Sequence, residues 1–495
     1  MLWTTARLQW MILRRDRLVW FLLAMFVGLL LYSGARGVSH TEERGALQVA
    51  AERAEAERLG ALAEELTRNP PPPPKVITTT AWRPEAGAPA PEADSPEPEA
   101  DAPASRESDP YLVGNELGRR VAALPPGALA PLTQGDARPT LFEVNLGAEL
   151  ASPEQAARPI ALGRVSLGTM DMAFVLLYLL PLLVIALTYD LLLGERESKT
   201  LALVFSQPIA PMTFVLGKLL ARAGLIAAAT LVPALLIWLI AAPGDARGLF
   251  AVVTGLVVVL SYLAFWLAAA VAANAWMRSS AASALALMGL WLATLVLIPG
   301  LLQLGVEALY PPPSRVALVN LTRQAARDAE DALTAMEGTH GETPTEREAY
   351  RAFLLRKVKA HEHMESALED VVDGFDRQLA RQQGVVRWLQ TLSPAVVGRE
   401  AFAELSGDSV YRHQRFKRQA HRFHEAWRDR FFQIITRGER MTAERVRALP
   451  AFAYEAEPLP AQIGRIGTGI ALGVWLPTVL LVLVSVRRVG RIGRL

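Results

Sequence analysis

The sequence predicts an all-α polytopic membrane protein, with six transmembrane helices and two extracytoplasmic insertions, the second a helical domain. Three observations predict it. Hydrophobic residues make up 52% of the 495 and the mean hydropathy is +0.23, high for a water-soluble chain. Six stretches are each long and apolar enough to cross a bilayer, which takes about 20 residues of helix. Arginine and lysine gather in the short flanks of alternate ends of those stretches. Charged residues still make up 20%, so large water-exposed parts accompany the spans. The net charge of +2 is too small to argue for nucleic acid as a partner, and the absence of cysteine excludes disulfides and thiolate metal sites.

Residues 1–17 mix Trp3, Leu8, Trp10, Met11, Ile12 and Leu13 with arginines. That pattern predicts an amphipathic helix lying in the cytoplasmic interface. Residues 18–36 form the first span. Arg14, Arg15 and Arg17 precede it and no clean small-x-small cleavage pattern follows, so it reads as a retained anchor. The first insertion, 37–171, opens with a helix-forming stretch at 43–68, rich in Ala, Glu, Leu and Arg. The prolines at 70–74 stop it. Residues 84–110 are rich in Pro, Ala and Glu, hold too few large apolar side chains to build a core, and read as a linker. Residues 112–165 read as a small lobe with short strands.

The second span is 172–193, and a cytoplasmic loop over 194–213 joins it to the third, 214–241. The fourth and fifth spans are 249–275 and 281–304. Pro181, Pro233, Pro299 and Pro477 fall inside four spans, where membrane helices tolerate them and kink. The second insertion, 305–465, carries two stripes at helical spacing. Leu354, Val358, Leu368, Val372, Phe375 and Leu379 form one, and Phe416, Phe423, Trp427, Phe431 and Ile434 the other. They are expected to pack on each other as the core of a helical domain. The sixth span, 466–486, leads to a short tail, 487–495. Arg7, Arg14, Arg15, Arg17, Arg196, Lys199, Lys218, Arg278, Arg487, Arg488, Arg491 and Arg494 then share one side. The positive-inside rule makes that side, and both termini, cytoplasmic.

Signs of catalysis are weak. Gly217-Lys218 is followed by Leu219 and lacks the upstream glycine of a phosphate-binding loop, so no ATP site and no directly bound cofactor is expected. His361-Glu362-His363-Met364-Glu365 has glutamate where a zinc-protease helix needs its second histidine. His421 and His424 lie one turn apart. These four histidines are weak metal candidates beside the plainer reading as solvated helix-face residues. The spans hold almost no mid-membrane charge: Asp190 sits near the end of the second, and Arg222 lies just inside the third, placed to snorkel. A proton- or ion-coupled transporter needs carboxylates there, so an external energy source is expected. The loop after the second span combines Glu195, Arg196, Glu197 and Lys199 with Leu201, Leu203, Val204 and Phe205, punctuated by Gly194 and Pro208. A short charged and apolar element of this kind suits docking to a cytoplasmic partner.

Asp190, Gly194-Glu195-Arg196-Glu197, Thr200-Leu201, Ser206-Gln207-Pro208 and Gly217-Lys218 together resemble the coupling loop of ABC-2-type transporter permeases. Lys199 stands where that family commonly has glycine, and Ala210-Pro211 where it commonly has a serine-arginine pair. Leu392-Ser393-Pro394-Ala395 through Phe416 and Phe423-His424, before a last span, resembles the subgroup with a large extracytoplasmic insertion, the DUF3526-type permeases. The resemblance implies the transmembrane subunit of an ABC transporter in a bacterial inner membrane, exporting or extracting a substrate. It implies two partners besides the lipid bilayer, a cytoplasmic ABC ATPase dimer that binds the ATP and a second permease subunit, alike or different. Asp190, Gly194, Glu195, Arg196, Glu197, Leu201, Leu203, Phe205 and Pro208 would be ATPase-coupling residues, none of them catalytic. The alternatives are a membrane-anchored scaffold whose outer domain binds an envelope protein, and a metalloenzyme using the outer histidines.

Overall fold

A computed structural model describes residues 2–71, 105–133, 141–144, 146, 170–200, 210–309 and 391–492, with isolated positions between 320 and 389. These residues are mostly helical, and six helices are long and apolar enough to cross a membrane. Helix α1 is Leu2–Leu13 and α2 is Arg17–Arg68. Then come α3, Met172–Glu197, α4, Pro211–Ala241, α5, Ala246–Trp276, and α6, Ser280–Gly305. Helices α7, Pro394–Ser406, and α8, Val410–Arg437, precede α9, Leu459–Val489. The six apolar helices are α2 to α6 and α9, and each contains one predicted span.

Helix α1 packs along α4. It buries Ala6 and Leu13 and leaves Trp3 80% exposed, the two-faced pattern its sequence carries. Asp16 ends the turn after α1 by accepting the Leu18 N–H at 2.9 Å, which caps α2. Helix α2 corrects the expectation of two separate pieces at 18–36 and 43–68. It runs unbroken for 52 residues. The sequence holds no proline between Arg17 and Arg68, so the backbone has no reason to stop where lipid-like composition gives way to charge. Its first half packs on α4 and its second half leaves the bundle. Gly34 and Gly37 make the exit possible: a Cβ at the first would collide with Ile237 of α4, and at the second with the Pro131 backbone.

Three of the intramembrane prolines share one device. A wide π turn covers Val175–Leu179, Ala293–Leu297 and Ala471–Trp475, ending two residues before Pro181, Pro299 and Pro477 respectively. A proline ring collides with the carbonyl four residues back and brings no N–H, and a wide turn carries that carbonyl aside. The loosened carbonyls find side-chain donors. The Tyr262 hydroxyl donates to Leu177 at 2.9 Å, the Trp291 indole to Tyr178 at 3.1 Å, and the Ser393 hydroxyl to Thr294 at 2.6 Å. In lipid no water could do this, so neighbouring helices must. Pro233 sits inside α4 without such a turn.

Beyond the bundle lies a lobe. A two-stranded antiparallel sheet joins β1, Arg120–Ala123, to β2, Leu141–Val144, the short strands expected in the first insertion. The lobe gives the second apolar stripe partners beyond the first. Phe416, Trp427 and Phe431 of α8 pack on Leu59, Leu62 and Leu66 of α2, and on Val113 and Val144. Leu354 and Val358 meet Ile435, and Leu368, Val372, Phe375 and Leu379 lie outside the described residues. One core is thus built from α2, residues 113–146 and residues 416–449. A buried ion pair locks it: Arg120 binds Glu55 at 2.6 Å and the Leu449 carbonyl at 2.6 Å, while Glu55 accepts the Val121 N–H at 2.6 Å. Helix α7 departs from the lobe altogether. Its Ala395, Val397, Ala401, Phe402 and Leu405 belong to the same core as the spans.

Candidate functional site

The predicted coupling loop begins where α3 breaks at Tyr189–Leu192 and resumes for one turn at Leu193–Glu197. Two spans, α4 and α6, hold this turn through charged groups. Lys218 and Arg222, one helical turn apart on α4, reach back to it. Arg222 donates to the Leu187 carbonyl at 2.5 Å and to Asp190 at 2.7 Å. Lys218 donates to the Leu191 carbonyl at 3.2 Å and to Glu195 at 2.9 Å, and its ammonium lies 5.1 Å from the Phe214 ring centroid. Glu195 also accepts the Thr200 hydroxyl. Glu197 accepts both the backbone N–H and the hydroxyl of Ser280 at 2.6 Å, at the first residue of α6. Its carboxylate thus serves the unpaired N–H groups of a helix start, where negative charge is favoured.

Helix α5 contributes Asn274, buried in an alanine-rich run. Its amide donates to the carbonyls of Thr188 and Ala270 at 2.9 Å each and accepts the Leu192 N–H at 3.1 Å, bridging the break in α3. Leu191 and Leu192 fill an apolar cluster with Phe214, Val215, Val271, Ala275 and Val489, which brings in the end of α9. The turn is therefore fastened to every apolar helix except α2.

These contacts revise the site the sequence suggested. Arg222 does not snorkel; it is 7% exposed and paired with Asp190. Asp190 and Glu195 are half-buried against α4, and Glu197 is exposed and bonded to the start of α6. Arg196 is exposed, Gly194 lies over Asp190, and Leu201, Leu203, Phe205 and Pro208 lie outside the described residues. Sequence reasoning missed Asn274 and Ser280. Asn274 was visible in principle as a lone amide in an apolar helix, where a polar side chain must find a partner.

The turn ends in a left-handed residue. Lys199 has φ +57°, the Thr200 N–H binds the Glu195 carbonyl at 3.0 Å and the Lys199 N–H binds Arg196 at 3.3 Å, the pattern in which glycine is preferred. Replacing Lys199 with glycine removes a side chain from that conformation and is expected to stabilise the protein by about 1 kcal/mol. Lys199→Val should destabilise it. Thermal unfolding of the two purified variants checks both signs.

Of the weak metal candidates, His421 pairs with Glu425 at 3.2 Å and His424 is buried in α8. His361 and His363 lie outside the described residues. Among the described residues no three His, Asp or Glu side chains cluster closely enough to hold a metal ion.

A family model described as a domain of unknown function, DUF3526, matches residues 328–455. That segment contains α7 and α8, so it supplies both the helix set into the bundle and one half of the lobe core. No curated protein matches the chain.

Proposed function

We propose that this chain is the transmembrane subunit of an ABC transporter, and that the turn around Glu195 couples it to a separate ATPase. The observation that supports the reading most is the fastening of that turn. Asp190, Glu195 and Glu197 tie it to α4 and α6, and Asn274 ties it to α5. A partner that pushes on such a turn moves several spans at once. A loop that served only to connect α3 to α4 would have no need of bonds to α5 and α6. The match to DUF3526 and the six apolar helices fit the subgroup that the sequence resembles.

In this reading the turn and both termini are cytoplasmic, the lobe is extracytoplasmic, and the membrane is a bacterial inner membrane. A second permease subunit completes the path, and ATP enters only through the ATPase dimer. A reporter active in the cytoplasm is expected to work when fused after Arg278 or Leu495, and to be silent near Arg106 or Gln383.

The coupling test starts from Arg196, an exposed residue of the turn. Arg196→Glu, combined with serine at Leu203 and Phe205, should leave the protein folded in the membrane and abolish co-purification with its ATPase. Each apolar side chain fully buried in such a contact contributes about 1.5–3 kcal/mol. Wild-type assembly of the triple variant, with ATP hydrolysis still driving transport in vesicles, would return the chain to the scaffold reading.

A further inference from the structure

A cavity of about 400 Å³ lies between α7 and the start of α9, away from the coupling turn. Its walls differ in character. Val397, Ile466 and Leu472 make it apolar on one side, and Leu472, at 46% exposure, stands on the surface of an apolar helix. Glu400, Tyr411 and Arg465 line the other side. Arg465 is fully committed. It donates to Glu404 at 3.0 Å and to Glu457 at 2.7 Å and through a second bond, and its guanidinium lies 4.7 Å from the Tyr411 ring centroid. The nearby Arg399 is bonded to Tyr178. Glu404 and Glu457 balance Arg465 and Arg399, so an ionised Glu400 gives this cluster one net negative charge.

Glu400 itself makes no hydrogen bond or ion pair among the described residues. Burial, and next the charge of Glu404, push its carboxyl up to about 7. The cavity thus holds an acid whose two neighbouring cations, Arg465 and Arg399, bond to other side chains, beside an apolar wall that opens onto a helix surface suited to lipid. A carboxylate in such surroundings favours any ligand that brings a positive charge.

We propose that this cavity binds an amphiphile with a primary ammonium headgroup, the ammonium against Glu400 and the hydrocarbon along Val397, Ile466 and Leu472. Arg465 and its two carboxylates hold the wall and do not contact the chain. The ligand is either a membrane lipid with an amine headgroup or a free amine amphiphile.

Native mass spectrometry of the full chain released from detergent micelles tests this, with dodecylamine and dodecanol as matched probes. The amine is expected to bind one site at least tenfold more tightly than the alcohol. Glu400→Gln should remove that advantage while leaving the alcohol unchanged, and Val397→Trp, which fills the cavity, should remove both. Competition by lysophosphatidylethanolamine marks a membrane lipid as the source; its failure to compete marks a free amine. Equal binding of amine and alcohol to the wild-type protein would overturn the proposal, and that comparison needs no variant to fold. Undiminished amine binding to Glu400→Gln would overturn it too. No ATPase takes part, so the result is independent of the transport reading.

Discussion

Replacing Asp190 with alanine destabilises the protein by about 3 kcal/mol, the lower end of the cost of stripping a partner from a buried charge. The lower end applies because the Asp190 side chain is 39% exposed, while that of Arg222 is 9% exposed. The guanidinium keeps its bond to the Leu187 carbonyl and the more distant charge of Glu195 but loses its bonded carboxylate. The penalty belongs to the stranded charge, so it should shrink when the charge is removed as well. Asp190→Ala with Arg222→Met is expected to recover most of the lost stability, and the two single changes should be strongly non-additive. Thermal unfolding of the four proteins closes the cycle. Additive losses would mean that the pair contributes nothing beyond its separate parts.

Trp427→Ala is expected to cost about 3–5 kcal/mol, the range for emptying the place of a buried aromatic side chain. Trp427 is fully buried, its ring centroid lies 4.9 Å from that of Phe431, and its indole donates to the Gly114 carbonyl at 3.1 Å. Alanine leaves a cavity and an unpaired carbonyl together. The site also joins α8 to the segment from the first insertion, so the damage should spread across the lobe. Limited proteolysis should then cut residues 106–133 faster while the spans stay intact. Unchanged protection of that segment would show that it folds independently of α8.

The apolar helices were legible because lipid and length leave few options. A segment of about 20 apolar residues must be helical, and composition alone locates it. Proline positions were equally legible, but the compensation was not. Nothing in the sequence announces that Tyr262 serves Leu177, or that Ser393 serves Thr294, because those partners lie 85 and 99 residues apart. The continuity of α2 was obscured by a change of solvent, which alters composition at Arg36 without altering backbone preference. Stripes at helical spacing revealed which faces are buried in α8, and could not reveal what buries them. Phe416 and Trp427 face Leu62 and Leu66 because of how the chain returns to the lobe. At the turn, charge drew attention to Asp190, Glu195 and Glu197, but the partners that hold them, Arg222, Lys218 and Ser280, come from later helices.

The unbroken course of α2 has a mechanical meaning. At 1.5 Å per residue, its 52 residues span about 78 Å, more than twice the roughly 30 Å of a hydrocarbon core. The same rod touches α4 near one end and carries Leu59, Leu62 and Leu66 of the lobe near the other. Rotation by roughly 5° about its N-terminal end would sweep its C-terminal end through about 7 Å, since length sets the amplification. A shift where the helix leaves the bundle, about 30 Å from that end, is therefore magnified about two- to threefold at the distal lobe, without a joint or a relay of side chains.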